Sequence, residues 1–170
     1  MTDKIYISLR EYWRGDSGID RDKVYAKELT DEIRKNAQHT VDCTNKLLAM
    51  AEADGVNIRP IYCASGWRPK SLNSSVPGSY AGSPHILALA IDLREYPDNR
   101  LRKWIDANPS KVKEAGFVAV ELFSYTRSWV HLQVKLPNSW ETGRIIYAPA
   151  EDGWKHWKLG TFYKSILTVK

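Results

Sequence analysis

Helices mixed with short strands in one domain are predicted by three observations on the sequence. One run of about twenty residues carries apolar side chains at helical spacing. Several runs of four to seven residues are apolar or alternate in polarity and are bounded by Gly, Pro, Asn or Ser. No segment repeats another, and no linker or low-complexity stretch divides the 170 residues, so a single domain over 1–170 is expected.

The elements follow in order. Residues 1–29 read as an irregular lead-in containing the apolar-aromatic segment Ile5-Tyr6-Ile7-Ser8-Leu9. Thr30 is a candidate N-cap, with Asp31 and Glu32 in the first turn where the helix dipole favours acid. Ile33, Ala37, Val41, Thr44, Leu48 and Ala51 then recur on one face, leaving Arg34, Lys35 and Asp42 towards solvent, and Gly55 supplies the stop. Ile61–Ser65 reads as a strand ending at Gly66. Residues 68–82 hold Pro69, Asn73, Pro77, Gly78 and Gly82, and read as a long loop, of a length that is usually functional or disordered. Strand 88–93 follows, then short helices 101–107 and 111–115 split by Pro109. Strands 117–121, 129–134 and 144–147 come next, and the tail from Glu151 receives no role.

Composition narrows the function classes. Hydrophobic residues make up 43% and charged residues 26%, the balance of an ordinary globular domain. There is no transmembrane run, and Met1-Thr2-Asp3-Lys4 lacks the apolar stretch of a signal peptide. Two isolated cysteines, Cys43 and Cys63, form neither a disulfide framework nor a Cys-x-x-Cys metal pair, so synthesis in a reducing compartment is expected. The net charge of +5 favours an anionic partner, whether nucleic acid or the anionic polymers of a bacterial wall. Lys and Arg are scattered without a run or a recognition motif, which argues against nucleic acid. Seven Trp and nine Tyr suit either a core or a groove for sugars and peptides.

The chemistry lies in two short segments, Ser83–Asp92 and Trp129–Gln133. His85, Asp92 and His131 supply two imidazoles and a carboxylate, three protein ligands that leave a fourth metal position for water, as catalytic zinc requires. In strand 129–134, Trp129, His131 and Gln133 share one face, while Val130, Leu132 and Val134 share the other. His131 is thus expected in a cleft with the apolar side in the core. His85 and Asp92 are an odd number of residues apart, so His85 must come from the loop or a bend at Pro84. Ala88 and Ala90 share the face of Asp92 and leave room beside it. Taken singly, a buried His or Asp is more often structural, a cap or an ion-pair partner; an Asp within Ala-Leu-Ala-Ile-Asp-Leu is costly to bury unless it is paired or metal-bound.

Three blocks in order resemble the zinc D-Ala-D-Ala carboxypeptidases and L-alanyl-D-glutamate endopeptidases, especially their bacteriophage members. They are Ser65-Gly66-Trp67-Arg68-Pro69, then Ser83-Pro84-His85 with Ala88, Ala90 and Asp92, then Trp129-Val130-His131-Leu132-Gln133. The resemblance spans about residues 30–148. It implies an α+β fold of the hedgehog and DD-peptidase kind, a small antiparallel sheet flanked by helices. It also implies zinc on His85, Asp92 and His131, with Arg68 contacting a substrate carboxylate or the developing oxyanion. Ser83 would hold the loop that presents His85, and Trp67, Tyr80, Trp129 and Gln133 would line the groove.

Two positions depart from the pattern. Ala88 stands where the family usually has Gly, a mild change if the backbone there is ordinary β. Ser128 occupies the position, three before the last zinc His, where many members carry an acid; Glu121 is then the candidate general base, provided that its strand pairs with strand 129–134. The implied activity is that of a monomeric zinc metallopeptidase, a peptidoglycan hydrolase of endolysin type that cleaves the peptide stem without a membrane or nucleic-acid partner. The implied source is a phage or prophage, with the product made in the bacterial cytoplasm and reaching the wall through a holin or as part of a virion. The alternatives are a non-catalytic wall-binding or virion structural relative, and a basic nucleic-acid-binding protein.

Overall fold

A computed structural model describes residues 4–137 and 145–167. The fold is α+β. Among the described residues, seven strands form one antiparallel sheet in the spatial order β1-β2-β4-β3-β5-β6-β7. The strands are β1 (Cys63–Ser65), β2 (Ala90–Arg94), β3 (Ala119–Glu121), β4 (Trp129–Gln133), β5 (Ile146–Ala150), β6 (Gly153–His156) and β7 (Phe162–Tyr163). The helices are α1 (Leu9–Arg14), α2 (Arg21–Val24), α3 (Asp31–Ala53), α4 (Lys70–Asn73), α5 (Arg100–Ala107) and α6 (Pro109–Glu114).

The long helix forms where its spacing predicts. The Thr30 hydroxyl accepts the Ile33 N–H at 3.2 Å, and every apolar position from Ile33 to Ala51 on the expected face is buried. Its end is a Schellman motif: Val56 N–H reaches the Ala51 carbonyl, Gly55 N–H reaches that of Glu52, and Gly55 takes φ +86°. Pro109 opens α6 at its first turn, where its missing N–H leaves no orphan.

The lead-in is not irregular. Ser8 and Glu11 form a capping box that starts α1, and its Tyr12 and Trp13 enter the core. The helix has only six residues, too few for periodicity to register. The tail from Glu151 also has a place. β6 and β7 extend the sheet beyond β5, and Trp154 is fully buried with its indole N–H on the Asp106 carbonyl. The loop 68–82 contains the single-turn α4. The strand expected at 144–147 runs instead over Ile146–Ala150, and Arg144 lies outside the described residues.

One face of the sheet closes the core. Ile91, Leu93, Val120, Val130 and Leu132 join Leu47 and Leu48 of α3 in one buried cluster. The opposite face, carried by the alternate residues of each strand, holds the polar residues of the site.

Candidate metal centre

Pairing register places the site residues in one row across the sheet. Ser65 of β1 lies opposite Asp92 of β2, and Asp92 lies opposite His131 of β4. Ala119 and Val120 of β3 pair with Gln133 and Leu132, so the same register carries Glu121 to the side of His131; Glu121 in turn pairs with Ile146 of β5. All five residues of this row line a single cleft of about 550 Å³. Adjacent antiparallel strands bring opposed side chains on one face close together, which gathers groups from five strands of the chain.

His85 enters from outside the strands, on a 3-10 turn over Pro84–Leu87 whose first N–H groups are capped by Ser83. The segment after it is bound carbonyl by carbonyl. Arg68 N–H binds the carbonyl of His85, the Trp67 indole that of Ile86, Asn36 that of Leu87, and Thr40 that of Ala88. Val134 N–H binds the carbonyl of Leu89, and the Tyr12 hydroxyl that of Ala90. Donors from α1, α3, the Trp67-Arg68 segment and the end of β4 therefore fix the backbone that delivers both His85 and Asp92.

Ala88 departs from its expected β conformation. It takes φ 57° and ψ 33°, left-handed, and β2 begins only at Ala90. Ala88 therefore does not share a strand face with Asp92. The left-handed conformation costs an L-residue roughly 1–2 kcal/mol relative to Gly, and the Thr40 bond to its carbonyl helps hold it.

Ligand atoms of His85, Asp92 and His131 lie within 4.8 Å of one another, and all three residues are buried. Asp92 Oδ1 is 2.7 Å from His131 Nδ1, and Asp92 Oδ2 is 3.3 Å from His85 Nε2. His85 Nδ1 lies 2.7 Å from the Gly66 carbonyl, which can only accept, so that nitrogen carries the proton and Nε2 offers a lone pair to the centre. Burial pushes the Asp92 pKa up, but the two imidazoles outweigh it and hold the carboxyl well below its usual range. Burial also disfavours charge on both histidines. At His131 the bond and charge of Asp92, with the charge of Glu121, prevail and raise the pKa; at His85 burial prevails and lowers it. A carboxylate beside two imidazole nitrogens is a fitting donor set for a divalent cation, and it could hold one.

The remaining expected residues divide. Arg68 lines the cleft, with guanidinium nitrogens 3.3 Å from Asn73 Oδ1 and 3.5 Å from Ser65 Oγ. Tyr80, Trp129 and Gln133 line it as well, and Ser83 both lines it and caps the His85 turn. Trp67 does not. It is fully buried, edge-on to Trp13, with its N–H spent on Ile86; an indole so enclosed cannot meet a ligand. Ser128 is exposed and off the cleft wall, whereas Glu121 is buried and on it.

Gly66 is required by close approach. A Cβ there would collide with the carbonyl oxygen and ring of Tyr12. Asn36, Thr40, Tyr12 and Asn73 escape sequence reasoning because their partners lie on other elements; only the capping box Ser8-x-x-Glu11 announces the helix that carries Tyr12. No family model, curated protein or solved structure matches the chain.

Proposed function

We propose that this chain is a zinc-dependent peptidase acting on the peptide stem of bacterial peptidoglycan, of D-Ala-D-Ala carboxypeptidase or L-Ala-D-Glu endopeptidase type. Its fold would be that of the hedgehog and DD-peptidase domains, and its source a phage or prophage. The observation that supports this most is the row Asp92–His131–Glu121, with His85 above it and Arg68 on the same cleft wall. The three sequence blocks that resemble the zinc peptidases contribute these residues, apart from Glu121.

Zinc held by His85, Asp92 and His131 would supply a Lewis acid that acidifies a water molecule and polarises a carbonyl. Glu121, set beside His131 by the β3–β4 register, accepts the proton of the attacking water and returns it to the leaving amine. Arg68 meets a peptide carboxylate or the charge that develops on the scissile oxygen; its planar fork suits either. Trp129 and Tyr80 form the flanks along which a stem peptide lies.

The test is digestion of purified peptidoglycan by zinc-loaded protein, with released fragments identified by mass spectrometry. Free D-alanine or a new D-glutamyl amino terminus is expected, with a rate about 10²–10⁴-fold lower in Glu121→Gln. That variant should keep its zinc. No fragments from a zinc-loaded wild type would overturn the peptidase reading and leave a wall-binding relative of the same fold.

A further inference from the structure

Arg21 is a buried guanidinium that the chemistry above does not use. It opens α2, is 7% exposed and lies outside the cleft wall. Its Nη1 donates to the Trp67 carbonyl at 2.9 Å and its Nη2 to the Ser17 hydroxyl at 3.2 Å, while its Nε has no acceptor. Among the described residues no carboxylate pairs with it. Arg102 is buried to the same degree but has the Glu95 carboxylate 3.6 Å away. Burial, and after it the charge of Arg68, draw the Arg21 pKa below its ordinary value; the groups that oppose this, Cys63 and Tyr25, are a thiol and a phenol. A guanidinium stays charged in a protein, and a buried charge without a partner is costly to the fold.

The position of this charge ties it to Arg68. The Trp67 carbonyl belongs to the peptide whose N–H is that of Arg68, and that N–H is bound by the His85 carbonyl. One peptide is thus held from both sides, and the Arg68 side chain runs from it into the cleft, towards Asn73 and Ser65. The turn Gly15–Ser17, which supplies the Ser17 hydroxyl, is seated tightly on β1: a Cβ on Gly15 would stand 2.8 Å from the Ala64 carbonyl oxygen. A fixed cation behind Arg68 repels it while the cleft is empty. It becomes favourable when an anion binds at Arg68, because both charges attract that anion.

We propose that Arg21 is a positioning residue for a substrate carboxylate. It holds the peptide that carries Arg68 and places a second positive charge behind it, so the cleft selects peptides with a free carboxylate beside the scissile bond over their amides. This rests on the peptidase reading above, with Arg68 as the anion contact. A unit charge about 10 Å from an anion, at the effective dielectric of a protein, changes affinity by about tenfold.

Two stem peptides test this, one with a free carboxylate next to the scissile bond and one amidated there. In zinc-loaded Arg21→Gln, KM for the carboxylate peptide should rise about tenfold, while KM for the amide changes little. Arg21→Met, which keeps a buried stem without the charge, gives the same readout should the Gln variant not fold. An equal loss for both peptides would mean that Arg21 serves the backbone alone. An unchanged KM for the carboxylate peptide in a folded variant would mean that its charge does not reach the ligand. Either result overturns the proposal. If zinc-loaded wild type cleaves neither peptide, the peptidase reading fails, and calorimetric titration of the same two peptides decides the role of Arg21. A carboxylate preference in wild type that falls about tenfold in the variant supports the role; no preference in wild type, or the same preference in both, overturns it.

Discussion

Asp92 keeps its charge where burial alone would remove it, because two imidazole nitrogens lie within 3.3 Å of its oxygens. Of the two, His131 holds a proton more tightly than a free imidazole and His85 less tightly, so in the metal-free site His131 takes up a proton before His85 does. The consequence for pH has two parts of opposite sign. A raised pKa in the folded state stabilises the metal-free fold fully below the ordinary value of 6.5, and that contribution is lost as pH rises through the His131 pKa. Metal must displace the same proton, so its affinity falls about tenfold per pH unit below that pKa. Zinc-loaded and metal-free protein should therefore diverge in melting temperature as pH rises above 6.5. Calorimetry at a fixed excess of zinc checks this, and a gap that narrows with pH would contradict it.

At the scale of elements, the strap from Gly66 to Ala90 decides the site more than any strand alone. β1 carries an irregularity between Cys63 and Ser65, where two residues of its register face one step of β2, and the chain then turns at Gly66 over the Tyr12 backbone. That turn delivers the Gly66 carbonyl to His85 and the Arg68 N–H to the His85 carbonyl. Gly66→Ala forces this crossing apart. A loss of about 1–3 kcal/mol in urea unfolding is expected from overpacking, together with weaker metal binding, because the bond to His85 Nδ1 moves with the turn. Unchanged stability in this variant would mean that Tyr12 gives way freely, against its burial and its bond to Ala90.

Across the whole molecule, the C-terminal segment is tied to the helical side through Asp106. Its carboxylate accepts from the backbone N–H groups of Ile166 and Leu167 and from the Ser165 hydroxyl, while its carbonyl accepts from Trp154. Asp106→Ala leaves the Ser165, Ile166 and Leu167 donors without their acceptor and should lower stability by about 1–3 kcal/mol. Limited proteolysis followed by mass spectrometry should then find cleavage after β7, which wild type resists at the same protease ratio. Equal resistance in both would show that β6 and β7 hold the segment without the clamp. The candidate ligands lie on β2, β4 and the turn before β2, away from this clamp, so zinc affinity should be unaffected.

Where local signals are strong, sequence and structure agree residue by residue. Thr30, the Ile33-to-Ala51 stripe and Gly55 specify α3 because capping and amphipathic spacing act within a few residues. The alternation of Trp129–Val134 likewise specifies which side chains share a face. His85, Asp92 and His131 could be singled out from residue type and spacing, and the structure brings them together. Other features needed the third dimension. Trp67 sits in the core rather than the cleft because Trp13 covers it, and Ala88 turns left-handed with its carbonyl held by Thr40 across 48 residues of chain. The tail joins the sheet because β5 offers an unpaired edge.

By itself, the sequence determined the long helix, the positions of most strands and the three candidate ligands, since propensity, capping and side-chain alternation are local properties of the chain. Only the tertiary structure decided that Glu121 stands in the same row as Asp92 and His131, and which nitrogen each imidazole turns inward. Those depend on strand register and on what each ring faces, the Gly66 carbonyl at His85 and the Asp92 carboxylate at His131, and register is settled by the packing of the whole sheet against its core.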